Sequence, residues 1–261
     1  MAIGKNIETR GHIVGFREEI SKAAASSDND FFTWFDSAKD KEAAFIRGSW
    51  DFTVHIALPA SQFLSHPEEK TALEIGYGGG RILTAATRHF RNVVGVDIHE
   101  HSEKVQAELN KRRINNFILR KTDGANIPIE DNSIDFIYSF IVFQHLEKIE
   151  IFKSYLCESY RALKPGGIAV FYFGRKAILS ENKKIKIFYL LDRILESVIM
   201  VNSFKELPAQ VNCTNLVVSM SYAKSFARKI GFRVLSELVS RKKVPDGIQL
   251  YGGQNGLVVK K

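Results

Sequence analysis

Short apolar runs alternate with segments of helical apolar spacing along the chain from about residue 71 onward. The runs predict strands at 71–75, 93–97, 117–122, 133–140 and 168–173, and the segments between them predict helices at 80–89, 103–113 and 149–163. Strands that alternate with helices in this way form parallel βαβ units. The continuously apolar run at 168–173 is typical of a buried parallel strand. The pattern therefore predicts an α/β fold with a doubly wound, mostly parallel sheet.

Two regions lie outside this alternation. Residues 1–70 are rich in aromatic side chains and are predicted to form a helical N-terminal cap, whereas residues 71–261 form the main domain. An insert at about 174–220 follows the fifth strand, and residues 221–261 predict a helix, a turn and two further strands. Within the insert, residues 181–204 carry apolar side chains at helical spacing, preceded by Lys183, Lys184 and Lys186. This predicted helix is interpreted either as a lid packed on the cap or as an interfacial helix in contact with a membrane.

Composition narrows the classes of protein that fit the chain. A length of 261 residues with 45% apolar residues is sufficient for a sizeable core. Cys157 and Cys213 belong to no CxxC or Cys/His motif, so the sequence predicts neither a disulfide framework nor a cysteine-based metal site. We find no apolar signal segment at the beginning and no run of about 20 apolar residues, and we expect a cytoplasmic protein. The net charge of +8 permits attraction to nucleic acid, anionic lipid or an acidic substrate without specifying one of them.

A glycine-rich loop, EIGYGGGR, joins the first predicted strand to its helix and carries the candidate chemistry. Such a loop lets a ligand approach the backbone and the N-terminus of the helix. It does not match the dinucleotide fingerprint, because Arg81 stands where the third glycine is required, and no Gly-Lys-Ser/Thr ends it as in a P-loop. The carboxylate of Glu74 would repel a pyrophosphate and attract an ammonium or sulfonium group. The loop is therefore predicted to bind a cationic ligand.

The loop resembles the first motif of class I S-adenosylmethionine-dependent methyltransferases of the type 11/25-like family, and later segments extend the resemblance. Asp97 ends the second strand, TDGANIPIEDNSIDFIYS follows the third, SFIVFQHL ends the fourth, and RALKPGG precedes the fifth. The resemblance is close over residues 70–175 and loose over residues 221–261. It implies a Rossmann-like sheet of seven strands, S-adenosylmethionine as the cofactor, and methyltransferase activity.

The resemblance also implies roles for individual residues. Asp97 would bind both ribose hydroxyls, Asp123 would accept a hydrogen bond from the adenine amino group, and the backbone of residues 124–125 would lie against the ring. Asp97 by itself could equally be a helix N-cap, so the prediction depends on the order of the whole set. The residues predicted to bind the cofactor are Glu74, Gly76, Tyr77, Gly78, Gly80, Asp97, Ile98, Asp123, Gly124, Ala125 and Ser139.

His145, just after the fourth predicted strand, is the candidate general base. The ordinary pKa of a histidine suits proton transfer near neutral pH. The alternative interpretation is that His145 packs at the edge of the cofactor or caps the next helix. The acidic and histidine residues show no spacing typical of metal ligands, and we expect no metal.

The absence of two motifs narrows the possible classes of methyl acceptor. No Asn/Asp-Pro-Pro-aromatic motif follows the fourth strand, which argues against an exocyclic-amine DNA methyltransferase. Cys157 lies inside a predicted helix, which argues against a cytosine-C5 enzyme. We expect O-methylation of a small molecule or a saccharide, including a lipid-linked glycan, and no nucleic-acid partner. The alternatives are an RNA-directed methyltransferase and a non-catalytic cofactor-binding module, and the sequence predicts no oligomeric state.

Overall fold

A series of helices precedes the sheet in the computed structural model, which describes residues 15–175, 186–199, 203–242 and 250–261. These helices are α1 (Phe16–Ser26), α2 (Asp28–Trp34) and α3 (Lys41–Asp51), and α3 continues through a π-helical turn (Phe52–Ala57) into the short α4 (Leu58–Ala60). The Ser27 side chain accepts a hydrogen bond from an amide of α2, and the Asp40 side chain accepts one from an amide of α3. Both residues are therefore N-caps that start their helices.

Nine strands are described, and all of them belong to one sheet. In chain order they are β1 (Thr71–Ile75), β2 (Asn92–Asp97), β3 (Phe117–Lys121), β4 (Ile134–Ser139), β5 (Leu163–Gly174), β6 (Phe204–Glu206), β7 (Leu216–Val218), β8 (Arg233–Lys242) and β9 (Leu250–Lys260). Strands β1 to β5 are parallel in the order β3-β2-β1-β4-β5. From β5 the sheet continues through β9 to β8, and β9 is antiparallel to both of its neighbours. Strands β6 and β7 form a short antiparallel hairpin at the end of β5. The prediction of a mostly parallel, Rossmann-like sheet is confirmed. The described sheet has nine strands instead of the expected seven, because the β6–β7 hairpin joins it at the end of β5.

Helices from the rest of the chain cover both faces of this sheet. They are α5 (Arg81–Ala86), α6 (Ser102–Lys111), α7 (Ile149–Ala162), α8 (Lys186–Ile199) and α9 (Met220–Lys229). Leu73 and Ile75 of β1 belong to the apolar layer that contains α7 and α9, whereas Ala72 belongs to the layer that contains α5, α6 and the N-terminal helices. Because both faces of the central strands are buried, these strands are continuous apolar runs in the sequence.

The observed element boundaries differ from the predicted ones in a few places. The sequence predicts a turn at KPGG, residues 164–167, but β5 already begins at Leu163 and includes this segment. The amide of Gly166, with φ +83°, donates to the carbonyl of Lys261, so the antiparallel pairing continues to the last residue. Helix α5 ends at Ala86 rather than near residue 89. Part of the predicted insert, residues 176–185 and 200–202, lies outside the described residues.

Candidate active site

The carboxyl ends of three central strands meet at the loop formed by residues 76–80. In the parallel register, Glu74 of β1 lies beside Gly95 of β2 and Tyr138 of β4. Because β2 ends at Asp97, this register brings Glu74, the loop and Asp97 to the same edge of the sheet. The strand order reverses between β1 and β4, and open α/β sheets have their ligand crevice at such a point.

Three glycines of the loop adopt a backbone that other residues rarely adopt. The φ angle is +78° at Gly76, +51° at Gly78 and +75° at Gly80. A Cβ atom at Gly78 would lie 2.8 Å from the ring of Phe35, and one at Gly80 would lie 2.8 Å from Val105. Glycine is therefore required here for its left-handed backbone and for the close packing of α6 and the N-terminal helices on the loop.

The carboxylate of Asp97 fixes the loop to the end of β2. Its Oδ2 accepts a hydrogen bond from the Gly78 amide at 2.7 Å, and its Oδ1 accepts one from the Ile98 amide at 2.7 Å. The buried ring of His99 supports the same loop, since Nε2 donates to the Gly78 carbonyl at 3.0 Å and Nδ1 accepts from the His101 amide at 3.1 Å. Sequence patterns do not identify His99, because its role depends on a contact with a residue 21 positions earlier.

Glu74 is buried beside the loop, with 3% of its surface exposed. Burial raises the pKa of its carboxyl to about 8, even though the hydrogen bond from Tyr138 and the Arg81 guanidinium lower it; the charge of Asp97 adds to the rise. The Tyr138 hydroxyl donates to Glu74 Oε2 at 3.1 Å. The carboxyl is therefore largely protonated at neutral pH. A cation placed beside it would favour the ionised form.

Arg81, the first residue of α5, is a part of the site that the sequence motif does not identify. Its Nη1 lies 2.6 Å from Asp51 Oδ2, and its Nε lies 3.9 Å from Asp36 Oδ2. Both aspartates belong to the N-terminal region, so the guanidinium is oriented by residues far away in the sequence. A guanidinium in this position suits the carboxylate of a ligand.

A cavity of about 140 Å³ lies over the glycine loop. Phe16, Trp34 and Phe35 from the N-terminal helices line it together with Arg81. The sequence motif gives no sign of these aromatic residues, because they precede the loop by 40 positions or more. Several predicted residues also line the cavity: Glu74, Gly76, Tyr77, Gly78, Asp97, Ile98 and His145.

Gly80 and Ser139, which are also predicted to bind the cofactor, are not among the residues that line this cavity. Gly80 is the N-cap residue of α5, and its amide donates to the Tyr77 carbonyl at 2.7 Å. Ser139 is fully buried, and its hydroxyl donates to the Ile75 carbonyl at 3.1 Å. In the described arrangement these two residues hold the strand ends and the loop together.

The predicted adenine-binding residues form a tight turn after β3. Asp123 Oδ1 accepts hydrogen bonds from the amides of Ala125 and Asn126, each at 2.8 Å. Although burial raises the pKa of Asp123, these hydrogen bonds outweigh it, and the pKa lies below its usual value. The Gly124 amide donates to Thr122 Oγ1 at 3.2 Å. The turn does not line the cavity, so its role as an adenine site stays a prediction.

His145 ends a short 3₁₀ turn after β4 (Phe143–His145) and is half-buried. Its Nδ1 lies 2.6 Å from the carbonyl oxygen of Cys213 and must donate to it. Nε2 is therefore the accepting nitrogen of the neutral ring, and the Gln144 amide nitrogen donates to it at 3.2 Å. Burial lowers the pKa of His145 below the usual value, although the Cys213 carbonyl raises it. The ring is neutral at pH 7 and has a basic nitrogen.

A second chamber of about 570 Å³ adjoins the cavity over the glycine loop. The residues that line both spaces are Trp34, Phe35, Arg81, Phe140, Ile141 and His145. The rest of the chamber wall includes the polar side chains of Asp36, Arg47, Asp51, His55, Gln144, Asn212, Ser240, Arg241 and Gln254. His145 thus lies at the boundary between the two spaces.

The chamber forms where the N-terminal helices meet the β8–β9 pair. The buried ring of His55 stacks on Phe140 with centroids 4.3 Å apart, and its Nε2 accepts a hydrogen bond from the Arg241 amide at 3.1 Å. Gly252 and Gly253 of β9 complete this side of the wall. Among the described residues, no group of three or more His, Cys, Asp or Glu side chains could hold a metal ion.

Comparison with known proteins identifies the segment that carries this site. A family model described as a methyltransferase domain matches residues 73–171, from β1 into β5. The matched segment contains the glycine loop, Asp97 and His145. Residues 73–171 thus match a methyltransferase domain, and the chain has the fold of solved S-adenosylmethionine-dependent methyltransferases. The match and the shared fold imply S-adenosylmethionine as the cofactor of this segment.

Relatives and solved structures extend the similarity beyond the matched segment. The 24-methylenesterol C-methyltransferase 2 of Arabidopsis thaliana is 35% identical over 104 residues, which are 38% of this chain and 28% of that protein. Phosphoethanolamine N-methyltransferase 2 of Caenorhabditis elegans is 23% identical over 213 residues, 77% of this chain and 47% of that protein. The chain thus spans less than half the length of these curated relatives. A solved SAM-dependent methyltransferase from Aquifex aeolicus shares the fold, with a TM-score of 0.51 and 18% identity over 80% of this chain and 92% of that chain.

The residues around the cavity fit the chemistry of S-adenosylmethionine. Glu74 offers a carboxyl to a cation, and Arg81 suits a carboxylate. Asp97 Oδ1 accepts from the amides of Ile98 and His99, whereas Oδ2 accepts from the Gly78 amide and retains a lone pair for a hydroxyl donor. The cavity is smaller than the roughly 300 Å³ or more of most small-molecule sites. We therefore expect the aromatic side chains over the loop to move outward when the methyltransferase domain binds its cofactor.

Proposed function

We propose that the chain transfers a methyl group from S-adenosylmethionine to a hydroxyl oxygen of a small molecule or saccharide held in the second chamber. The observation that carries this proposal is the position of His145, which lines both the cofactor cavity and the chamber. A base at this boundary reaches the proton of an acceptor whose oxygen faces the cofactor. An amine delivered neutral would not need such a base.

The ring of His145 supports this role. When bound, S-adenosylmethionine supplies a sulfonium methyl carbon, to which the acceptor oxygen bonds as the carbon–sulfur bond breaks. The hydroxyl proton of the acceptor passes to Nε2 of His145, in place of the hydrogen bond that Gln144 now donates. The Cys213 carbonyl keeps the other ring nitrogen protonated and thereby fixes the tautomer that accepts a proton. The remaining task of the site is to align the two reactants and exclude water.

The chamber supports an acceptor of limited size. Its volume of about 570 Å³ lies in the range of small-molecule sites. Its wall combines Arg81, Asp51 and other charged and amide side chains, which suit hydrogen bonds to a hydroxylated molecule. The names of the two curated relatives specify a sterol and phosphoethanolamine, with transfer to carbon and to nitrogen. They support a small-molecule acceptor but differ in the acceptor atom.

A steric block of the chamber tests the proposal. Gly253 lines the chamber, its φ lies outside the left-handed region, and a Cβ atom there would have nothing within 4 Å. Gly253→Leu should therefore fill chamber space with little cost to the fold. With catechol and methyl glycosides as hydroxyl probes and phosphoethanolamine as the amine probe, release of S-adenosylhomocysteine is measured. We expect hydroxyl-dependent release, and a loss of at least about tenfold in kcat/KM in Gly253→Leu without a change in the Kd of S-adenosylmethionine.

Gln106→Leu provides the matched control, since it adds the same side chain on the exposed surface of α6. It should leave both kcat/KM and Kd unchanged. If S-adenosylhomocysteine is released only in the presence of phosphoethanolamine, this result would contradict transfer to oxygen. Equal turnover in Gly253→Leu and the wild type would show that the acceptor does not use the chamber.

A further inference from the structure

Helix α8 packs on the protein through its polar side. Its two acidic residues are buried, with 3% of Asp192 and 9% of Glu196 exposed. Glu196 Oε1 accepts hydrogen bonds from the Met220 amide at 3.0 Å and from Asn255 Nδ2 at 3.4 Å. Asp192 lies 3.7 Å from the guanidinium of Arg175. These contacts connect α8 to α9, to β9 and to the end of β5.

The apolar side of α8 faces outward. Its exposed side chains are Ile187 (59%), Leu190 (49%), Leu191 (41%), Ile194 (60%) and Val198 (74%). A surface helix of a globular protein normally buries its apolar face and exposes its charges. In α8 this arrangement is reversed, and an exposed apolar face of this kind marks an interaction surface.

The exposed charge at the start of this face is cationic. Both acids of α8 point inward, whereas Lys186 at its start is exposed. In the sequence, Lys183 and Lys184 stand just before the helix, although they lie outside the described residues. An exposed apolar face that begins at the exposed Lys186 is complementary to an anionic bilayer surface, where apolar side chains enter the acyl boundary and lysine contacts the headgroups.

We propose that α8 docks the protein on an anionic membrane surface, lying in the plane of the interface. An amphipathic helix of this kind lies with its apolar face at the acyl boundary and its polar face toward water. The described part of the chain contains no helix whose length and apolar content would let it span a bilayer. The buried acids and the outward apolar face together distinguish α8 from a lid packed on the N-terminal helices. The docking surface stands on these contacts and does not depend on the catalytic proposal.

The position of α8 also connects the membrane to the chamber. Arg175 lies over the ring of Tyr189 in α8 at 5.2 Å, and its Nη2 donates to the Gly252 carbonyl at 2.6 Å. Gly252 and Gly253 form part of the chamber wall. Docking through α8 thus brings the chamber close to the bilayer. This step rests on the proposed function and implies that the hydroxylated acceptor is carried by a lipid or dissolved in the membrane.

Vesicle co-sedimentation tests the docking. Vesicles of phosphatidylcholine alone are compared with vesicles that contain phosphatidylglycerol, at low and high salt. We expect the wild type to bind the anionic vesicles, and to bind less at high salt because the lysine charges are screened. Ile187→Gln/Leu190→Gln should lower the partition coefficient by at least about tenfold, since two exposed apolar side chains no longer enter the bilayer. Ile118→Gln, at an exposed position on β3, should bind like the wild type.

The docking proposal is overturned if the wild type does not bind anionic vesicles, or if the double variant binds them as well as the wild type does. It is also overturned if light scattering shows a wild-type dimer that the double variant converts to a monomer, since a second copy would then cover the face. Calorimetry with S-adenosylmethionine accompanies each variant. Unchanged cofactor binding alongside lost vesicle binding separates a failure of docking from a failure of the catalytic proposal.

Discussion

Glu74 shows at the scale of a single residue how burial prepares the site for a cation. Its carboxyl has a pKa of about 8 because it is buried, so it must release a proton when a cationic ligand favours the ionised form. We expect the affinity for S-adenosylmethionine to rise with pH up to about 8, by at most tenfold per pH unit, and then to level off. Glu74→Gln should bind more weakly and lose this slope, as calorimetry at several pH values would measure. Any pH dependence of the affinity that arises from titration of the amine of S-adenosylmethionine itself remains in Glu74→Gln.

The same carboxyl reduces the stability of the cofactor-free protein. An acid with a raised folded-state pKa binds more protons in the folded than in the unfolded state, so stability falls as pH rises from about 4.3 to about 8. Glu74→Gln removes this loss and should raise the free energy of unfolding by up to about 3 kcal/mol at pH 7. Denaturant unfolding at pH 5 and pH 8 would measure the effect. A variant that is less stable than the wild type at pH 8 would contradict the buried, protonated carboxyl.

His145 leads to a different pH dependence. Because its pKa lies below the usual histidine value of about 6.5, the basic form persists through neutral pH. We expect kcat for a hydroxyl acceptor to be flat near pH 7 and to fall only at more acidic pH, where the imidazolium cannot accept a proton. His145→Ala should lower kcat by roughly 10²–10⁴-fold while the Kd of S-adenosylmethionine stays nearly constant. An increase in that Kd with a flat pH profile would instead indicate that His145 only packs beside the cofactor.

At the scale of elements, a comparison of two glycines distinguishes the effect of backbone strain from the effect of lost ligand contact. Gly78 and Gly166 both have positive φ, so alanine strains either position. A Cβ atom at Gly78 would press on Phe35 and the cavity, whereas one at Gly166 would meet only Lys260 Cε, at 3.9 Å. We expect Gly78→Ala to lose binding of S-adenosylmethionine in calorimetry and Gly166→Ala to keep it. Both variants should lose some thermal stability, and equal affinities would show that the loop is not the cofactor site.

The sequence predicts elements whose signals are local. Strands β1 to β4 and helices α6 and α7 follow from apolar runs and helical spacing and lie within a few residues of their predicted ends. The β6–β7 hairpin has no such signal, since each strand has only three residues. KPGG contains residues typical of a turn, yet pairing with the last strand keeps it in β5. Here tertiary pairing outweighs local preference.

The candidate site follows the same division between local and long-range signals. The motif residues Glu74, Gly78 and Asp97 come together because the ends of adjacent strands coincide. Arg81 and Phe35 enter the site only through the packing of the N-terminal helices on the loop. No local pattern predicts such contacts, and the same holds for the outward apolar face of α8, which a helical spacing alone would place against the core.

At the scale of the whole molecule, two spaces adjoin between a sheet edge and a cover made of the N-terminal helices and the β8–β9 pair. His145 is one of the residues that line both spaces. The methyltransferase domain supplies the loop and the carboxylates, and the segments outside the matched residues 73–171 supply most of the chamber wall. This arrangement separates the determinants of cofactor binding from those of acceptor choice. Variants of the first group should change the Kd of S-adenosylmethionine, and variants of the second should change kcat/KM for the acceptor.

The most direct test of the central claim is a calorimetric titration of the wild type and Asp97→Ala with S-adenosylmethionine and, separately, with NAD. The account predicts that the wild type binds S-adenosylmethionine at one site per chain and does not bind NAD. Asp97→Ala should weaken the binding of S-adenosylmethionine by roughly 1.5–3 kcal/mol, the scale of hydrogen bonds to a charged group. Binding of NAD without binding of S-adenosylmethionine, or equal affinities in the wild type and Asp97→Ala, would contradict the account.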